Sequence, residues 1–115
     1  MLELNRDNFQ KEVLDAKGYV LVDFWSPSCE PCKALIPHVK ELEKLYGDKI
    51  KFTALDTSKA RRLAIGQGVL GLPTISIYKD GEKIDAVVSD EANKESVEKM
   101  IKKYLQYKPV LIFTN

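Results

Sequence analysis

The residues best able to do chemistry in this chain are its two cysteines, Cys29 and Cys32, which are separated by Glu30 and Pro31. Proline favours the first positions of a helix, so this C-x-x-C segment is predicted to begin one. The free amides and the dipole at a helix N-terminus lower the pKa of a thiol below its ordinary value of ~8.5. We therefore expect Cys29 to be a nucleophile. Cys32, one turn later, would be close enough to attack a mixed disulfide that Cys29 forms.

Two neighbouring cysteines could instead be inert buried residues or ligands of a metal. A structural zinc site uses four ligands, and the only histidine, His38, lies beyond Pro37 on the predicted helix. A metal would then need a second chain or the help of carboxylates. Redox chemistry without a metal or a bound cofactor is the favoured interpretation, because the motif lies within a β-α-β pattern.

The elements that must position the cysteines predict an α/β domain. A β-favouring run over residues 19–25 precedes the motif, and apolar residues at helical spacing follow it until Gly47. Asp80-Gly81 lies between two further apolar runs, which predicts an antiparallel hairpin. This order predicts a mixed β-sheet with helices on both faces. The remaining predicted elements are helices over 5–17 and 58–65, a strand over 50–55, and a last helix that contains Val97, Ile101 and Leu105.

The whole chain limits the classes of function that are possible. Its 115 residues suit one domain, which we expect over 1–107 with a C-terminal extension over 108–115. The 18 basic and 17 acidic residues nearly cancel, so we expect no nucleic acid or membrane partner. The chain shows no secretory signal pattern and no apolar run near the ~20 residues of a membrane span. We expect a cytoplasmic protein.

Residues 22–33, which contain the C-E-P-C motif, resemble the active-site segment of the thioredoxin family. A second match lies downstream, where residues 71–74 are similar to that family's loop with a cis-proline and residues 78–82 to the hairpin after it. The resemblance covers nearly the whole of residues 5–105. It implies the thioredoxin fold and a thiol-disulfide oxidoreductase that reduces protein disulfides through Cys29 and Cys32.

The resemblance also implies roles for residues around the cysteines. Asp23 would be a buried carboxylate beneath Cys32 that assists proton transfer, and burial would raise its pKa. A simple strand-end cap is the alternative for this residue. The implied substrate-binding residues are Trp25, Pro31, Leu72 and Pro73. Pro73 would be cis and would let the Leu72 backbone pair with an extended client, whereas a trans turn proline is the alternative.

Several positions depart from the common pattern of the family. Glu30 stands where glycine is usual, and its carboxylate should disfavour a nearby thiolate and so shift the redox potential of the pair. Ser28 replaces a usual tryptophan, and Ser89 replaces a glycine of the client-facing surface. Ala54 stands where a lysine often lies, so Asp23 is expected to lack a partner and to titrate higher.

The expected partners are disulfide-containing client proteins and a thioredoxin reductase or equivalent that restores the dithiol of a monomeric protein. One alternative is a carrier dedicated to one reductase system. Another is a non-catalytic adaptor with the same fold, which the presence of both cysteines, Asp23 and Pro73 disfavours. The apolar tail over 110–113 is expected to fold back onto the domain, with a dimer or client contact as the alternative.

Overall fold

A five-stranded mixed sheet runs through the molecule in the order β1-β3-β2-β4-β5. Strands β1, β3 and β2 are parallel, whereas β4 and β5 are antiparallel additions. The computed structural model describes residues 1–105, so the predicted extension over 108–115 lies outside the described residues. The strands are β1 (Leu2–Leu4), β2 (Tyr19–Trp25), β3 (Ile50–Asp56), β4 (Thr74–Lys79) and β5 (Glu82–Val88).

Helices cover both faces of this sheet, as predicted. One face packs against α1 (Glu30–Tyr46) and α3 (Lys94–Leu105), and the other against α2 (Arg61–Gly66) and a short π-type helix (Gln10–Leu14). Strand β2 lies at the centre, and because both of its faces are covered, five of its seven residues are buried. No helix among residues 1–105 is both long enough and apolar enough to cross a bilayer.

The N-terminal region differs from its prediction. The helix expected over 5–17 is reduced to Gln10–Leu14, and strand β1, which was not predicted, precedes it. The Asn5 side chain accepts hydrogen bonds from the backbone N–H groups of Asp7 and Asn8, at 2.7 and 2.9 Å, and so forms a turn. This competition between an asparagine side chain and the helix backbone delays the helix.

The helix expected over 58–65 is also divided. The Asp56 side chain accepts the Ser58 N–H at 2.9 Å and begins a 3₁₀ turn over Thr57–Lys59. Ala60 then has φ −152°, outside the helical region, so that α2 starts only at Arg61. The predicted hairpin is confirmed, with Asp80 and Gly81 at its turn.

Candidate active site

The two cysteines form a disulfide at the N-terminus of α1, with their Cα atoms 5.2 Å apart. Strand β2 ends at Trp25, and the Cys29 N–H donates back to the Ser26 carbonyl oxygen at 3.1 Å. Cys29 is the N-cap of α1, and its Sγ accepts the Cys32 N–H at 3.2 Å. Cys32 is fully buried whereas Cys29 is partly exposed. Only the first sulfur can therefore be reached readily by another protein.

Asp23 is buried in β2 on the face that α1 covers, with 1% of its surface exposed. Its neighbours on the adjacent strands are Ala54 in β3 and Ile75 in β4. Within residues 1–105, neither carboxylate oxygen has a hydrogen-bond partner. Burial raises the pKa of Asp23 to about 7. This group can therefore hold or release a proton near neutral pH. Because Ala54 stands where the family often has a lysine, Asp23 was expected to lack a charged partner, and none is found among residues 1–105.

The Leu72–Pro73 peptide bond is cis, as the family resemblance implied. Pro73 is buried, and its carbonyl oxygen accepts the Ser89 N–H at 2.7 Å. The Thr74 hydroxyl donates to the Gly71 carbonyl oxygen at 2.6 Å. These two bonds hold the loop at the start of β4, so that the backbone around Leu72 has a defined position.

A groove of about 320 Å³ joins this loop to the segment before Cys29, and we call it the Ser28 groove. Leu72 and Gly71 line it from the loop, and Ser26 and Ser28 from the segment before α1. Its far wall comes from α2 and the residues that follow, including Arg61, Ile65 and Leu70. The structure thus brings together two segments that are more than 40 positions apart in the sequence.

The other predicted substrate-binding residues lie outside the Ser28 groove. Trp25 lines a separate depression with Ala54, and Pro31 lines another with Leu35 of α1. Pro73 is buried and is not among the residues that line any of these depressions.

The far wall of the groove was not expected from the sequence. Leu70 is 89% exposed and Ile65 is 62% exposed, and both line the groove. Large apolar side chains so exposed are candidates for a contact with another molecule. The only signal in the sequence was that both residues lie close to the glycines of the loop, among Gly66, Gly68 and Gly71.

Glu30 has a cationic neighbour that weakens its expected effect on the cysteines. Its Oε2 lies 3.0 Å from the Lys33 Nζ, one turn further along α1. The Glu30 and Lys33 side chains are 83% and 45% exposed, so the pair is solvated. An exposed pair of this kind makes a modest electrostatic contribution, and we expect the carboxylate to change the redox potential only slightly.

Comparison with known proteins identifies the family. The family model described as Thioredoxin matches residues 1–103. The chain is 61% identical over 105 residues to thioredoxin of Acetoanaerobium sticklandii, which covers 91% of this chain and all of that protein. It is 51% identical over 105 residues to thioredoxin of Peptoclostridium acidaminophilum, with 91% and 96% covered. The chain therefore belongs to the thioredoxin family and is a thiol-disulfide oxidoreductase that reduces protein disulfides by exchange through Cys29 and Cys32.

Proposed function

We propose that Cys29 and Cys32 have different roles in this exchange. The Cys29 thiolate attacks one sulfur of a client disulfide, which forms a mixed disulfide and releases the other client sulfur as a thiolate. The Cys32 thiolate then attacks the Cys29 sulfur, forms the Cys29–Cys32 disulfide and releases the second client sulfur. Two electrons pass to the client. The observation that carries this assignment is that Cys29 is partly exposed at the helix N-cap whereas Cys32 is buried.

Asp23 is the proposed base for the second step. Cys32 must lose its proton before it can attack, and a buried carboxyl with a pKa of about 7 can take up that proton near neutral pH. The absence of a hydrogen-bond partner among residues 1–105 leaves both oxygens free for this transfer.

The client would lie as an extended segment across the redox end of the domain. Its main chain would pair with the Leu72 backbone, and Trp25, Pro31 and Pro73 would complete the contact surface. This proposal is supported by the position of Leu72 in the groove beside Ser28. A thioredoxin reductase or equivalent would restore the dithiol. We place the protein in the cytoplasm as a monomer, and the fold-back of residues 108–115 stays a prediction.

Reduction of insulin in the presence of dithiothreitol tests the proposed roles of the two cysteines. Cys29→Ser should lower the catalysed rate at least about a thousandfold, to the level of the dithiothreitol background, because the nucleophile is lost. Cys32→Ser should instead accumulate a mixed disulfide, which non-reducing electrophoresis detects. Substantial activity in Cys29→Ser, or trapping by Cys29→Ser instead of Cys32→Ser, would contradict the assignment.

A carrier dedicated to one reductase system is the second candidate, because Glu30, Ser28 and Ser89 depart from the common pattern of the family and Ser28 lines this groove. The Cys32→Ser protein distinguishes the two when it is exposed to a cell extract. A general reductant should trap many proteins, whereas a dedicated carrier should trap one or a few.

A further inference from the structure

Ser89 has a left-handed backbone conformation at a position where the thioredoxin family usually has glycine. Among residues 1–105, only two residues other than glycine have positive φ, Asp80 at +50° and Ser89 at +53°. Asp80 lies in the β4–β5 hairpin turn, where this conformation is common. Ser89 follows the end of β5 and is the first residue of a 3₁₀ turn over Ser89–Glu91, not part of a hairpin turn. A left-handed residue that carries a side chain is disfavoured, so its occurrence beside a reactive site indicates a function.

The Ser89 side chain lies against the wall of the Ser28 groove. A Cβ atom placed on Gly71 would be only 2.8 Å from the Ser89 Oγ, so the hydroxyl packs directly on the Gly71 backbone. The Ser89 N–H also donates to the Pro73 carbonyl oxygen, at 2.7 Å. Ser89 therefore touches the cis-proline loop at both of its ends, and the loop itself lines the groove.

The Ser89 hydroxyl forms no hydrogen bond within residues 1–105, and the residue is only partly buried. Its backbone is occupied, because the N–H bonds to Pro73 and the carbonyl oxygen accepts the Ala92 N–H at 3.0 Å. A serine hydroxyl can donate one hydrogen bond and accept others, so this group can bind a polar atom from outside the domain.

We propose that Ser89 is a specificity-determining residue whose hydroxyl hydrogen-bonds the main chain of the client segment that carries the attacked disulfide. This inference rests on the proposed function. A segment that pairs with the backbone around Leu72 passes over Gly71, and the Ser89 hydroxyl lies against that glycine. Every peptide unit offers a carbonyl oxygen and most offer an N–H. The contact therefore selects disulfides held in a peptide chain over small disulfides without peptide bonds, whatever the client's sequence.

The test compares two substrates in single turnover. The reduced protein is mixed with insulin or with hydroxyethyl disulfide, which contains no peptide bond, and the ratio of the two second-order rate constants is measured. Ser89→Ala keeps the Cβ and removes the hydroxyl, so we expect the insulin preference to fall roughly three- to tenfold, which is the usual effect of one neutral hydrogen bond. Asp90→Ala, at the next position and exposed, is the matched control and should keep the native ratio.

Ser89→Gly separates recognition from a purely structural role. Glycine adopts positive φ freely, so this variant should gain thermal stability while it loses the insulin preference to the same extent as Ser89→Ala. If either variant kept the native ratio of the rate constants for insulin and hydroxyethyl disulfide, the inference would be overturned. An equal loss of rate on both substrates would overturn it as well. If the native protein reduced neither substrate, the proposed function itself would fail.

Discussion

The two ends of the central sheet differ in how residues with positive φ and polar side chains are hydrogen-bonded. At the hairpin end, Asp80 and Gly81 have φ +50° and +86°. The Asp80 Oδ1 accepts the Gly18 N–H at 2.7 Å, and the Asp80 N–H donates to the Gly18 carbonyl oxygen at 3.0 Å. These two bonds tie the turn to the residue that precedes β2 and compensate for the left-handed backbone.

At the redox end, two polar side chains have no such compensation within residues 1–105, although the Ser89 backbone, like that of Asp80, is hydrogen-bonded. Asp23 is buried with neither oxygen hydrogen-bonded, and Ser89 combines positive φ with an unpaired hydroxyl. Thr53, equally buried in the neighbouring strand, donates its hydroxyl to the Leu21 carbonyl oxygen at 2.9 Å. The Ser76 hydroxyl, buried within β4, also has no partner among residues 1–105, so the contrast with the hairpin end depends on Asp23, the one buried carboxyl of the two ends.

The largest effect on stability is expected from Asp23→Asn. The folded-state pKa of Asp23 is raised to about 7 from an ordinary 3.8, so the unfolded chain releases this proton at a lower pH than the folded protein does. The carboxyl therefore removes stability as the pH rises from about 4 to about 7, by about 4 kcal/mol in total. Urea denaturation of the oxidised protein across this range should show that fall in the native chain and a nearly flat profile in Asp23→Asn.

Thr53→Val is the matched control for that comparison, because it removes a buried polar group that is satisfied. It should lower the free energy of unfolding by about 1 kcal/mol at every pH and leave the slope as in the native chain. A slope that persists in Asp23→Asn would contradict the assignment of the titration to this residue. If Asp23 is the base, the same substitution should also slow release of the mixed disulfide about a hundredfold.

The next effect is expected at the hairpin end, from Gly81→Ala. A Cβ at Gly81 would collide with the Leu14 carbonyl oxygen, and φ is +86°, so the backbone would have to move. We expect a loss of about 2–4 kcal/mol in the free energy of unfolding. Insulin reduction by the fraction that remains folded should stay at the native rate, because this end of the sheet takes no part in the exchange.

Gly18→Ala provides the control for the collision. Gly18 has φ +82°, but no atom lies within 4 Å of a Cβ placed there. Only the cost of a left-handed backbone at a residue with a side chain remains, which should lower the free energy of unfolding by about 1 kcal/mol. If Gly81→Ala and Gly18→Ala lowered the free energy of unfolding equally, the collision with the Leu14 carbonyl oxygen would have to be relieved by a backbone movement without cost, which would contradict the prediction.

The smallest effect is expected from Glu30→Gln. Removal of the carboxylate should favour the Cys29 thiolate, stabilise the reduced form and make the pair slightly more oxidising, but Lys33 already lies 3.0 Å from it and both side chains are exposed. We expect an increase of no more than about 20 mV in the redox potential, measured by equilibration with glutathione. Lys33→Met should shift the potential slightly in the opposite direction, and the double variant should lie near the native value. A change above about 60 mV would mean that Glu30 acts on the cysteines without screening by Lys33.

Local rules of sequence predicted most of the elements correctly. The apolar run of β2, the Asp80-Gly81 turn and the start of α1 at the cysteines all follow from neighbouring residues. The failures lie where a side chain competes with the helix backbone, as Asn5 and Asp56 do. Strand β1 was missed because three residues carry almost no periodic signal, and its pairing with β3 decides its conformation.

The sequence by itself determined the chemistry that this protein favours, because two cysteines one helical turn apart, with a proline between them and a β-α-β pattern around them, indicate a redox pair at the start of a helix. The tertiary structure alone decided what surrounds that pair. Asp23 has a pKa of about 7 because apolar residues of two other strands and α1 exclude water from it. The sheet order also brings distant segments together. As a result, the Ser28 groove is lined by Ile65 and Leu70, and its loop is contacted by Ser89. Burial and proximity between segments are properties of packing, which no local pattern specifies.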